Sequence, residues 1–189
     1  ALVLGLFLEI CHSCRFRILR WIAGLYISYF RSTPYIMQLF IFYFGLPQVI
    51  PIMRNIVGET ALIITIAMNS AAFIAEIIRG GLLAVDKGQK EAALSIGLSS
   101  FRTYTEIILP QAFVAAFPAL GNSFISMIKN TAIGFTIGVI ELLAQAKILA
   151  ASSLNFFEAY IAVGIIYWIV LVVIERLLCY IETRISRYL

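Results

Sequence analysis

Apolar residues in this chain come in long runs separated by short polar segments, the pattern of membrane-crossing helices. Ala1 to Ile10 is apolar but too short to cross alone, since a crossing takes about 20 residues; it reads as the tail of a first span. Arg15, Arg17 and Arg20 make the next segment basic, and Trp21, Tyr26 and Tyr29 suggest a helix at the membrane surface, the layer these rings favour. Phe30 to Pro47 is apolar again. Thr33 suits the cap of its helix and Pro34 the first turn. Gln38, the one strongly polar side chain inside this run, reads first as an interhelical hydrogen bond and second as a solute contact. A loop with Pro47, Pro51 and Gly58 leads to a helix predicted from about Glu59 to Arg79. A further helix is predicted from about Glu106 to Ile128, distorted where Pro110 and Pro118 each remove a backbone hydrogen bond. Residues 131 to 155 are broken up by Glu141, Gln145 and Ser152 and read as a loop plus a short helix near the outer surface. Phe156 to Cys179 is the last span, followed by a short basic tail to Leu189.

Two of these helices carry polar stripes. Thr65, Asn69 and Glu76 are spaced by four and seven, which places them on one helical face, and Ser70, Ala71, Ala72 and Ala75 are small enough for close helix contact. Asn69 lies about 15 Å along the helix from Glu59, near mid-bilayer. It is a candidate for solute contact, balanced against a purely structural hydrogen bond. Glu76 and Arg79 are three apart and pair naturally. On the later helix, Gln111, Ala115, Pro118, Asn122, Ser126 and Lys129 follow helical spacing, with Asn130 just beyond. Thr65 and Asn69 thus meet Asn122 and Ser126 at overlapping depth, and the two asparagines are able to line one site with Lys129 and Asn130 at its outer mouth. Lys129 reads either as a partner for a solute carboxylate or as an interfacial lysine.

Composition settles the class. The 189 residues are 62% hydrophobic and 13% charged, with mean hydropathy +0.98, against roughly half and a quarter in soluble domains. The chain is expected to be an all-α integral membrane protein forming one domain, 1–189. The net charge of +4 is scattered among apolar segments and does not make a nucleic-acid surface. Cys11 and Cys14 flank His12, but a zinc site needs about four ligands, and the chain has a single histidine. There is no Gly-x-x-x-x-Gly-Lys-[Ser/Thr] phosphate loop and no Ser–His–Asp set, so catalysis, a metal and a resident cofactor are not expected. By alternation of spans, one side receives Arg15, Arg17, Arg20, Arg31, Arg79, Lys87, Lys90, Arg102, Arg176, Arg184 and Arg187. The other receives Arg54, Lys129 and Lys147, an 11-to-3 division of the 14 basic residues. The positive-inside rule puts the larger set, and the C-terminus, in the cytoplasm.

The cytoplasmic segment 86–110 is unusual in so apolar a chain: from Glu91 to Pro110 it reads EAALSIGLSSFRTYTEIILP. Glu91 to Leu98 suits about two helical turns. Ala92 and Ala93 carry little bulk, so another surface is able to approach closely. Gly97 suits a helix end with φ > 0, Ser99 or Ser100 a new cap, and Asp86 with Gln89 a weak capping box. Glu91-Ala92-Ala93, Gly97, Ile107 and Leu109-Pro110 together resemble the EAA loop of permease subunits of bacterial ABC importers. Phe30-Arg31-x-Thr33-Pro34, Asn69 to Ala72 and Arg79-Gly80-Gly81 are similar to the polar amino acid branch (histidine/glutamine/arginine-type). Relatives there often carry an acidic residue where Asn130 stands.

The resemblance implies a type I ABC importer transmembrane domain of about five spans, the first incomplete, with a cytoplasmic coupling helix. It implies a permease subunit in the bacterial inner membrane moving a polar amino acid. Expected partners are two ATP-binding subunits that hold ATP and Mg, a second permease copy or paralogue, and an extracytoplasmic solute-binding protein. Glu91, Ala92, Ala93 and Gly97 become the coupling residues. Two alternatives stay open: an ion-coupled secondary transporter using Glu76, which leaves the EAA loop without a role, and a non-transporting scaffold, which needs no polar stripes at mid-membrane.

Overall fold

A computed structural model describes residues 1–186; Arg187, counted with the basic set above, lies outside the described residues. The helices are α1 (Leu2–Ser13), α2 (Arg17–Ser32), α3 (Tyr35–Phe40), α4 (Leu46–Val49), α5 (Gly58–Ala84), α6 (Lys87–Ser95), α7 (Ser100–Arg102), α8 (Leu109–Asn130), α9 (Leu142–Ser153) and α10 (Phe156–Ile185). Turns of π-helix join α3 to α4 over Ile41–Gly45 and α7 to α8 over Thr103–Ile108, and a 3-10 segment covers Thr131–Ile137. No strand occurs among the described residues.

Three helical stretches, Gly58–Ala84, Ser100–Ile137 and Phe156–Ile185, are long and apolar enough to cross a membrane. The 27 residues of α5 span about 40 Å, more than the roughly 30 Å hydrocarbon core. Leu2–Ser13 and Tyr35–Val49 are apolar but shorter. Val163 is the one buried residue of α10 among those described; most of its other large apolar side chains, Trp168 and Ile169 among them, are exposed, as a lipid-facing helix requires. This is a multi-pass membrane protein.

α5 lies at the centre and packs on α1, α2, α3 and α8. Lipid tails are as apolar as leucine, so close van der Waals contact and interhelical hydrogen bonds must hold such helices together. The sequence meets the first need with Ala71, Ala72 and Ala75, all fully buried. One cluster joins Ala71 and Ala75 to Leu8 of α1 and to Ala23 and Ile27 of α2. A second joins Leu39 of α3 to Ala61 and Leu62 of α5 and to Ile137 and Val139.

Several local expectations are corrected. Tyr26 is not a tyrosine of the membrane surface: its hydroxyl donates to the Met68 carbonyl at 2.9 Å, in the middle of α5. Thr33 does not cap α3. It closes α2, with its Oγ1 donating back to the Tyr29 carbonyl at 2.8 Å, and Pro34 takes the N-cap position. α5 runs past Arg79 to Ala84. The distortion expected from Pro110 appears as the π-helical turn just before it, where the missing N–H leaves the preceding ladder out of register. Glu141, read only as an interruption, caps α9: its carboxylate accepts from the Leu143 and Ala144 amides at 2.9 and 2.7 Å.

Candidate functional site

Of the two regions singled out by sequence, one lies at the end where α5 and α8 are joined and the other along the middle of α5. Between those helices, the connecting segment folds back through α6. Asp86 is its N-cap, accepting from the Gly88 amide at 2.7 Å. No capping box forms with Gln89, whose amide oxygen instead meets Gln111 Nε2 at 3.4 Å. The helix begins at Lys87, directly after the Asp86 cap that the sequence offered, and takes in Glu91. It ends in a Schellman motif: the Gly97 amide donates to Leu94 and the Leu98 amide to Ala93, each at 3.1 Å. Gly97 has φ +84°, the left-handed conformation its spacing called for. Ser99 then caps α7, accepting from the Arg102 amide at 3.4 Å. Ala93 is buried in the chain's own packing, while Glu91 and Ala92 are exposed. Leu94, Ile96 and Phe101 are exposed beside them. Lys90 steadies α6, its ammonium 5.2 Å above the Tyr104 ring.

Along the middle of α5, residues of α2, α3, α5 and α8 line an open cavity of about 420 Å³. Asn69, Asn122, Ser126 and Asn130 all line it, with Ser70 and Ser123 beside them. The two polar stripes therefore do meet. Thr65 and Lys129 are not among the lining residues. Thr65 is buried and donates to the Ala61 carbonyl at 2.8 Å, its own helix's backbone. Lys129 is exposed. Asn69 divides its roles: Nδ2 donates to the Phe30 carbonyl at 3.1 Å and to Gln38 Oε1 at 2.9 Å. Gln38 in turn donates to the Phe30 carbonyl and to Thr33 Oγ1, at 3.0 and 2.7 Å. Gln38 is thus the interhelical bond its position suggested. Asn122 makes no side-chain hydrogen bond among the described residues, and Ser126 donates to the Asn122 carbonyl at 2.9 Å.

Glu76 and Arg79 pair as expected, Nη2 to Oε2 at 2.6 Å and Nε to Oε1 at 3.3 Å. Sequence spacing missed Arg31, 45 positions away on α2, whose Nη1 reaches the same Oε2 at 3.3 Å. A family model described as binding-protein-dependent transport system inner membrane component matches residues 1–187. The chain is 43% identical over 187 residues to the probable amino-acid permease protein YxeN of Bacillus subtilis (strain 168), covering 99% of this chain and 84% of that one. It is 42% identical over 189 residues to the L-cystine transport system permease protein TcyL of the same organism, covering 98% and 79%. The crystal structure of an amino acid ABC transporter with histidines matches with a TM-score of 0.90 at 38% identity, over 97% of this chain and 84% of that one. An inward-facing MetNI methionine ABC transporter matches with a TM-score of 0.76 at 21% identity, over 97% and 85%, which speaks for the fold alone.

Proposed function

The chain belongs to the family of binding-protein-dependent transport system inner membrane components, and from that premise we propose that it is the permease subunit of an ATP-driven importer carrying a polar amino acid. The observation that carries this reading is α6. A helix so short is marginal alone, yet this one is capped at both ends and leaves Glu91, Ala92, Leu94 and its C-cap Ile96 exposed, with Phe101 of α7 exposed after it. An exposed apolar group on a rigid, capped support suits a protein partner, and an ABC ATPase is the partner proposed. In the full assembly a second permease copy or paralogue completes the pore and two ATPase subunits hold ATP and Mg. A solute-binding protein delivers cargo from outside. The chain makes about five crossings, with α6 and the C-terminus in the cytoplasm, as the 11-to-3 charge division supports.

Glu91, Ala92, Ala93 and Gly97 form the coupling element, and Asn69, Asn122, Ser126 and Asn130 the solute path, with Lys129 near its outer mouth. Amide and hydroxyl groups both donate and accept, which fits the two ends of an amino acid. Cargo shifts the transporter between inward and outward access only through unequal affinity for the two states. The ion-coupled alternative needs Glu76 as a free carboxylate, and Glu76 is held by two guanidiniums. The test is uptake of tritiated amino acids into vesicles containing the complex assembled with the ATPase and binding protein encoded beside it. Accumulation is expected only with ATP inside; accumulation driven by an ion gradient without ATP overturns the proposal.

A further inference from the structure

The cavity has no charge of its own: none of the side chains lining it is ionised. An amino acid entering it brings a carboxylate, and a carboxylate taken from water without a cationic partner is strongly disfavoured. Lys129 is exposed and outside the lining, and a guanidinium stands directly behind the wall. Phe73 forms part of that wall and also lines a second open cavity of about 450 Å³, which contains Arg31 and Glu76. Arg31 follows Phe30, itself a lining residue of the first cavity, and its guanidinium carbon sits 5.9 Å from the Phe73 ring centroid.

Arg31 shares its carboxylate partner with Arg79. Glu76 has one carboxylate and two arginines. Arg79 engages both of its oxygens, at 2.6 and 3.3 Å, whereas Arg31 reaches Oε2 alone, at 3.3 Å. A bidentate guanidinium–carboxylate pair is complete by itself, so Glu76 stays paired if Arg31 leaves it. Beyond them, Glu9 of α1 is a second carboxylate near Arg79; it accepts from Ser13 Oγ at 2.6 Å and lies 4.0 Å from His12 Nδ1.

We propose that Arg31 receives the carboxylate of the transported amino acid, exchanging Glu76 for the cargo while Arg79 keeps Glu76 neutralised. The proposal rests on the reading of the chain as an amino-acid permease and adds which cargo group is recognised and by which side chain. Phe73 is the partition the guanidinium passes, and its ring offers a face for the cation on the way.

The experiment measures equilibrium binding of a panel of tritiated L-amino acids, and of their carboxamide analogues, to the permease–ATPase complex in nanodiscs without the solute-binding protein. Wild type is expected to prefer the free carboxylate over the carboxamide by about tenfold or more. Arg31→Gln should lose that preference, with Arg31→Lys recovering part of it. Glu76→Gln removes the competitor, so affinity should rise about threefold; an ion pair that merely braced α2 on α5 would give no gain. Unchanged carboxylate preference in Arg31→Gln, or weaker binding in Glu76→Gln, overturns the proposal while leaving amino-acid transport intact. If Arg31→Gln does not assemble, the wild-type carboxamide comparison and Glu76→Gln decide by the same criteria. Binding of none of the panel by wild type overturns the amino-acid reading and this proposal together.

Discussion

Asn69 Nδ2 and Gln38 Oε1, 31 positions apart in sequence, lie 2.9 Å from each other. That bond ties the break between α2 and α3 to the middle of α5 and forms part of the cavity wall at the same time.

Replacing the two asparagines of the cavity should therefore have different consequences. Asn69→Leu strands Gln38 Oε1 and leaves the Phe30 carbonyl only its bond from Gln38, at a cost of about 1–3 kcal/mol, and should lower the melting temperature of the purified complex as well as uptake. Asn122→Leu breaks no side-chain bond; uptake should weaken with thermal stability and ATPase copurification unchanged. Equal thermal losses in both variants would show that the division of roles is wrong.

Gly97 is open to space: a Cβ at this position would meet nothing within 4 Å, so a substitution there encounters backbone strain and no clash. Gly97→Val should cost about 1–2 kcal/mol in the turn and reduce copurification of the ATPase. Gly97→Asn, which tolerates φ > 0, should retain most of it. Wild-type copurification and uptake in the valine variant would remove Gly97 from the coupling element.

The neighbouring glycines Gly80 and Gly81 should respond with opposite sign. A Cβ on Gly81 would sit 2.5 Å from the Ala112 carbonyl oxygen and 2.8 Å from the Ala116 Cβ, whereas one on Gly80 meets nothing within 4 Å. Gly81→Ala should force α5 and α8 apart at about 1–3 kcal/mol. Gly80→Ala should be neutral or stabilise by up to about 1 kcal/mol through helix propensity. Thermal melts of the two variants in one detergent check this.

Topology is read by labelling. In a background with Cys11, Cys14 and Cys179 replaced, cysteines at the exposed Ser99 and Gln48 should react from opposite faces of the membrane, Gln48 from outside intact cells. Reaction of both from outside would contradict the cytoplasmic placement of α6.

What could be read from sequence follows from the range of the interactions involved. The turn at Gly97 and the cap at Ser99 are settled within a few residues by φ sign and side-chain reach, and both were legible. The meeting of Asn122, Ser126 and Asn130 with Asn69 was legible because 3.6-residue periodicity survives in a long helix. Thr65 obeys the same periodicity but bonds its own backbone, a choice that spacing does not reveal. The Thr33–Pro34 pair fits a helix start or a helix end equally well locally, and the packing of Gln38 decides between them. Arg31 with Glu76, and Tyr26 with Met68, join distant segments, and nothing in either segment alone marks its partner.

The close approach at Gly81 has a mechanical consequence. The segment carrying α6 leaves α5 and re-enters α8 beside the point where those helices all but touch, so both of its ends are clamped at one pivot. With α6 as the proposed coupling element, force applied to it should arrive at α5 and α8 together and tilt the pair as a rocker, carrying the Asn69 wall and the Asn122 wall in the same stroke.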